Sequence, residues 1–310
     1  MNPRICNFYI TFQCNDTCEF CQVWQSSGYS SYDLRASEDK QGIGIKLEEL
    51  KKRGIQILNI DGGEPLLVEH LPRVIEKAKE LGIFIRLFTN GIVYPDRAKE
   101  LRGLSDEICF AMDYPSADAH DRSRGIESFS ELISSLKTAR ELGEKAILFF
   151  TMTRDSVLYL PEAVELAEKH GTILQLNPVY DFNGTQGFDK DTVRHIRYFF
   201  KRKSVRLDLA VLEFARNRGN SVLLPRCRAS QAVLTLLPDL KEVGPCLYNQ
   251  GGRQGREDIC SSCMRWPYIE PSFKIGFDKY RMLHIYSKWY NSKKLIPLPP
   301  VLPREGEQRG

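Results

Sequence analysis

Over roughly its first 200 residues the chain alternates short β-rich apolar runs with segments of helical periodicity. That alternation limits the available folds more than any other feature. Ile5–Thr11, Ile55–Ile60, Phe84–Phe88, Glu107–Met112, Ala146–Met152 and Thr172–Leu176 read as strands. Leu47–Arg53, Val68–Leu81, Arg97–Leu104, Phe129–Leu142 and Pro161–His170 read as the helices between them, and Asp191–Lys201 as one more. Val68–Leu81 shows the pattern well: Leu71, Val74, Ile75, Ala78 and Leu81 share one helical face, and Gly82 ends it. Strands joined by helices run parallel, because a parallel pair needs a long crossover. The expected fold class is therefore α/β. Six such units are too few for the closed eightfold barrel, so a partial (β/α)6 TIM-like barrel is expected over residues 1–205.

Beyond it Gly, Pro and Cys become dense. Ala232–Leu237 and Glu242–Pro245 read as a hairpin about Pro238-Asp239-Leu240. A small Cys-rich α+β domain is expected over 206–275, then a C-terminal helix and a Pro-rich tail over 276–310. With 42% hydrophobic and 27% charged residues the chain has a globular composition, and a net charge of +4 gives no footprint for nucleic acid. No run approaches the ~20 apolar residues of a membrane span. No signal peptide opens the chain, so a cytoplasmic location is expected. Arg194–Arg206 and Lys279–Lys294 mix basic and aromatic residues. They read first as helices with one solvated face, and second as a peripheral contact with anionic lipid or an acidic substrate.

The nine cysteines are clustered. Cys14, Cys18 and Cys21 follow the first strand, on the strand-end rim where α/β proteins build their sites. In a reducing compartment such thiols read as metal ligands before disulfides. Three thiolates on one loop can hold three irons of a cubane and leave the fourth open, or bind zinc with a borrowed ligand, or belong to a ferredoxin-like cluster. Cys6 and Cys109 sit inside apolar strand runs and read as packing residues.

The C-x3-C-x2-C spacing of Cys14, Cys18 and Cys21, with Phe20 before the last, strongly resembles the radical S-adenosylmethionine enzymes. Other strand ends agree. Asp61-Gly62-Gly63-Glu64-Pro65 ends strand two with the family's GGEP, and Thr89-Asn90-Gly91 is similar to its strand-three ending. Ala111-Met112-Asp113-Tyr114, followed by His120-Asp121 and Arg124-Gly125, is a looser match, with Ala111 and Tyr114 departing from a usual Ser and Gly. The resemblance covers about residues 5–200. It implies a [4Fe–4S] cluster on the three cysteines, whose open iron chelates S-adenosylmethionine. Reduction, by a partner such as flavodoxin or ferredoxin, cleaves the sulfonium, and the 5′-deoxyadenosyl radical abstracts hydrogen from substrate. Gly62, Gly63, Glu64 and Pro65 would then hold the methionine amino group. Arg124 would pair with the methionine carboxylate or form an ion pair with Glu64 or another acid. Asn90, Asp113, Thr151 and Asn177, with Thr153 beside them, would line the nucleoside pocket.

Cys227, Cys246, Cys260 and Cys263 could close a structural zinc site. With Pro238-Asp239 and Pro245 between the first two, they look like the opening of the SPASM and twitch extensions of this superfamily, although Leu240 stands where Gly is usual. That resemblance implies a second, auxiliary [4Fe–4S] cluster with zinc as the alternative, and favours oxidation or ring formation. Strand one begins near Met1, leaving no preceding module to capture a leader peptide, so a small-molecule or lipid-like substrate is expected. A peptide crosslink is the other enzymatic reading, and a non-catalytic Fe–S carrier or scaffold the remaining one. Asn183–Gly187 is expected to form a loop on the pocket rim.

Overall fold

The computed structural model describes residues 3–21, 39–179, 188–221, 225–244, 246–249 and 260–297. The expected rim loop at 183–187 and the tail beyond 297 lie outside them. In chain order the elements are β1 (Ile5–Thr11), α1 (Lys40–Lys52), β2 (Ile57–Gly62), a 3-10 turn (Pro65–Leu67), α2 (Leu71–Glu80), β3 (Phe84–Thr89), α3 (Tyr94–Leu101), β4 (Glu107–Met112), α4 (Ala117–Arg124), α5 (Phe129–Glu141), β5 (Ala146–Met152), α6 (Leu160–His170), β6 (Ile173–Pro178) and α7 (Lys190–Phe199). There follow β7 (Val205–Arg206), α8 (Leu209–Arg216), α9 (Ala229–Ala232), β8 (Val233–Leu236), β9 (Glu242–Val243), α10 (Trp266–Ser272) and α11 (Lys279–Lys294).

Strands β1 to β6 pair in sequence, all parallel, as the (β/α)6 reading requires. The sheet is longer than six strands. Its order is β7-β6-β5-β4-β3-β2-β1-β8-β9. The hairpin about Pro238 does not stand apart: β8 pairs parallel with β1, Ile5 opposite Val233 and Phe8 opposite Leu236. Antiparallel β9 closes the edge. Thus the Cys-rich segment shares the barrel's own sheet, and Leu234 and Leu236 join the barrel's core. Leu240 keeps the left-handed backbone that glycine would adopt (φ 65°) and packs against that core.

Strand periodicity sets the two faces. Phe8, Ile10, Leu58, Ile60, Ile85 and Leu87 are buried in the main core. The alternate residues on the other face are polar near the strand starts: Asn59 donates to Asn7 (2.8 Å), and Glu107 accepts from Arg86 (2.8 Å) and Arg206 (3.1 Å). That face turns apolar, then becomes the site, toward the C-terminal strand ends.

Candidate active site

The cysteine loop is sutured to its neighbours by backbone. Thr11 and Gln13 carbonyls accept from the N–H groups of Gly63 (2.7 Å) and Glu64 (2.8 Å). A Cβ on Gly62 would lie 2.1 Å from the Thr11 carbonyl oxygen, and one on Gly63 would lie 2.0 Å from that of Gln13. Gly62 also has φ 139°. The double glycine is thus what lets strand β2 end flush against the loop. On the other side, Thr17 and Glu19 N–H groups donate to the Arg124 and Ser123 carbonyls (3.1 and 3.0 Å) at the end of α4. Asn90 reaches across to Asn15 at 2.8 Å.

The loop faces a cavity of about 220 Å3. Cys14, Cys18 and Cys21 share its wall with Gly62, Gly63 and Asn90, and Thr151 and Asn177 close the far side. Eight of the expected residues therefore meet in one space: the three cysteines, the double glycine, Asn90, and the Thr151–Asn177 pair. Arg124 also touches it. Burial pushes the Cys14 thiol up to about 12 and raises Cys18 as well, while the Arg124 guanidinium opposes the rise at Cys18. Bound iron is the kind of charge that converts such thiols to thiolates. The donor set of three thiols beside open backbone fits a cubane with one free corner.

Glu64, Pro65, Asp113 and Thr153 are not on the cavity wall. Glu64 is fully buried and accepts from the Leu66 N–H (2.9 Å), the Thr89 hydroxyl (2.8 Å) and the Asn90 N–H (2.7 Å). Its carboxylate caps the Pro65–Leu67 turn and pins the β3 ending, and burial pushes it up to about 7. Asp113 grips Arg124 in a two-pronged pair (2.7 and 3.0 Å). Asp16 takes the guanidinium from the loop side (3.2 Å), and Cys18 Sγ lies 3.6 Å from it. Arg124's acid partners are thus Asp113 and Asp16, and Glu64 is not among them. The pair fastens the cysteine loop to β4. Thr153 exchanges hydrogen bonds with Ser156 instead of facing the cavity.

Two wall residues carry information the sequence did not. Asp61, buried enough that its carboxyl is pushed up to about 6, has the Gly62 N–H as its hydrogen-bond donor and faces the cavity. Trp266 arrives from α10, far along the chain, and packs on Phe88 and Phe149 with centroids 6.0 and 5.0 Å apart. These rings give the cavity an apolar wall. Nothing local marks Trp266 as a site residue; only the return of the C-terminal segment places it there.

His120 supports the Asp113 end, accepting the Asp113 N–H at Nδ1 (3.3 Å). Burial, with Arg124 adding to it, pulls its pKa down from 6.5 to about 4. Above pH 6.5 it is neutral folded or unfolded. Between 6.5 and 4 only the unfolded chain takes the proton, so stability falls as pH drops, then levels off. The loss is about 3 kcal/mol when complete. Subtracting the stability curve of His120→Gln from that of the wild type, by denaturant titration across this range, should isolate it.

The second cysteine set is organised by Asn220. Its side chain accepts from the Arg226 and Cys227 N–H groups (2.9 and 3.0 Å) and donates to the Cys260 carbonyl (3.1 Å). Its backbone N–H donates to the Cys263 carbonyl (3.0 Å). Asn249 donates to Cys260 Sγ (3.2 Å), next to the Cys246 turn, and Arg265 donates to Cys263 Sγ (3.4 Å). The Tyr268 hydroxyl accepts from the Leu247 N–H (3.3 Å) and touches Tyr9 (3.2 Å) and Thr235 (3.3 Å), tying this loop to β1 and β8. Cys6 and Cys109 are buried among apolar side chains.

An open parallel barrel with three thiols on the loop after its first strand, facing a pocket built from the other strand ends, defines a class of cluster-bearing barrel enzymes. The chain belongs to the radical SAM superfamily, whose family model matches residues 8–169. It is a radical SAM enzyme, and membership implies a [4Fe–4S] cluster and S-adenosylmethionine, used together with a reductant. It is 27% identical over 206 residues to a probable GTP 3′,8-cyclase of Saccharolobus solfataricus (64% of each chain). It is 25% identical over 272 residues to one of Sulfolobus acidocaldarius (82% of this chain, 84% of that one). An AdoMet-dependent heme synthase of Oleidesulfovibrio alaskensis is 26% identical over 171 residues, 54% of this chain. The chain spans less than two thirds of the length of the first of these (64%) and 43% of the third. Among solved structures, Streptococcus suis SuiB bound to S-adenosylmethionine aligns with TM-score 0.65 at 16% identity, covering 82% of this chain and 62% of that one. An anSMEcpe structure with bound AdoMet aligns at 0.61 and 14%, covering 92% and 81%. Both are likenesses of fold.

Proposed function

We propose that this enzyme acts on a small molecule seated against Phe88, Phe149 and Trp266, and that Cys227, Cys246, Cys260 and Cys263 hold a second [4Fe–4S] cluster as electron acceptor, for net oxidation or ring closure. Bound at the first site, cluster and S-adenosylmethionine supply reductive cleavage of the sulfonium and hydrogen abstraction. The chain's residues do the rest. Cys14, Cys18 and Cys21 would supply three ligands to the cluster, the double glycine holds the cysteine loop against the end of β2, and the three rings give the substrate side an apolar wall.

The observation that carries the reading is Trp266. It stands on the cavity wall three residues after Cys263, so the second cysteine set and the cavity are joined through one short segment. The relatives named as cyclases and heme synthases favour a small substrate over a peptide. Asp61 offers that substrate one polar contact in an apolar setting.

Anaerobic reconstitution followed by metal analysis tests the second cluster. Wild type should bind about eight irons per chain, and Cys14/Cys18/Cys21→Ala about four. Zinc retained in the triple variant would remove the electron acceptor from the proposal.

A further inference from the structure

Helix α11 packs Tyr280, Leu283 and Tyr290 partly buried against the fold, but its fully buried positions are different in kind. Its buried residues are His284, Ser287 and Asn291, all polar. Each makes a specific bond with the segment that opens α8: His284 Nδ1 with Asp208 (2.5 Å), Ser287 Oγ from the Leu209 N–H (2.9 Å), and Asn291 to the Leu207 carbonyl (3.0 Å). Lys288 adds an ion pair with Glu270 (3.1 Å), whose carboxyl burial would raise but which Lys288 and His284 hold down at about 2. This polar seam fixes the rotation of the helix.

The opposite face is apolar too, and exposed. Met282, Ile285, Tyr286 and Trp289 follow the i, i+3, i+4, i+7 spacing of one helical stripe and are 57, 51, 46 and 57% exposed. Phe277, just before the helix, is 88% exposed. Ordinary surface helices hide such a stripe. Lys279, Arg281 and Lys293 flank it, and Lys279–Lys294 contains no acidic residue. Among the described residues, no helix is long and apolar enough to cross a membrane.

We propose that this face of α11 is a docking surface for an anionic lipid bilayer, on which the helix lies parallel to the membrane with Trp289, Tyr286, Ile285 and Met282 inserted at the headgroup boundary. Two features point to lipid. Aromatic and aliphatic side chains stand in one stripe, which suits an interface that is apolar below and wet above. Arg281 and Lys293 border the stripe, with Lys279 shared with Glu213 (3.0 Å), and the helix itself carries cations only, complementary to acidic headgroups and falling within their short-range potential.

The test is flotation of the full, cluster-loaded chain with vesicles of phosphatidylcholine containing about one third phosphatidylglycerol. Wild type should float with these vesicles and stay behind with pure phosphatidylcholine. Raising salt from about 0.05 to 0.5 M should release most of it. Ile285→Ser/Trp289→Ser and, separately, Lys279→Glu/Lys293→Glu should each weaken partitioning about tenfold or more, with 5′-deoxyadenosine formation unchanged. No flotation at low salt, equal flotation with neutral vesicles, or variants that float as wild type would each overturn the proposal. So would a wild-type dimer by light scattering that the Ile285/Trp289 variant converts to monomer, since the stripe would then face a second copy.

Discussion

Replacing Cys14, Cys18 and Cys21 together with alanine abolishes 5′-deoxyadenosine formation, a loss expected to exceed about a thousandfold because no other donor set can leave an iron corner open on this rim. The fold should survive. The loop is held by backbone bonds from Gly63, Glu64, Thr17 and Glu19, none of which uses a cysteine side chain. A thermal melt within a few degrees of that of wild-type apoprotein, alongside absent product, would separate lost chemistry from lost structure. Substantial product from the triple variant would place the reaction elsewhere.

Gly63→Ala is expected to do nearly as much damage through sterics alone. The added Cβ would sit 2.0 Å from the Gln13 carbonyl oxygen, and the obstruction is backbone, which cannot rotate away. The loop must move off β2, breaking the Gly63 and Glu64 sutures and displacing the three thiols from the cavity wall. A cost of about 3 kcal/mol in stability is expected, from overpacking against a fixed neighbour. Bound iron at the first site and S-adenosylmethionine cleavage should fall together. Gly44→Ala is the matched control. It lies inside α1 with nothing within 4 Å of the new Cβ, and should stabilise by about 0.5–1 kcal/mol while leaving activity alone. Equal effects from the two substitutions would mean the double glycine is an ordinary turn.

Much of this was legible in the residues. Strands β1, β4 and β5 fall where their apolar runs predict, because a strand buried on both faces writes itself as a continuous hydrophobic segment. The cysteine loop and double glycine were equally plain, being short motifs with one geometric demand each. Other parts were hidden for physical reasons. Helix α4 (ADAHDRSR) has no apolar stripe; it holds its place through the buried Arg124–Asp113 pair and contacts to the cysteine loop. Helix α1 begins before its periodicity does, because the Asp39 side chain caps it at the Gly42 N–H across a glycine-bearing first turn. Glu64 and Asp113 read as ligand contacts because a carboxylate at a strand end is chemically suited to that. In the structure Glu64 accepts from three protein donors and Asp113 pairs with Arg124, a matter of which neighbours are near in space. Trp266 and the insertion of β8 beside β1 depend on contacts more than 100 residues apart in sequence.

The central claim is that three thiols beside the double glycine hold iron with one corner free for S-adenosylmethionine. Electron paramagnetic resonance of the dithionite-reduced protein, recorded anaerobically with and without S-adenosylmethionine, tests it most directly. The account predicts a [4Fe–4S]+ signal whose g-values shift on addition and which disappears in Cys14/Cys18/Cys21→Ala. A spectrum that ignores S-adenosylmethionine, or a shift that persists in the triple variant, would contradict it.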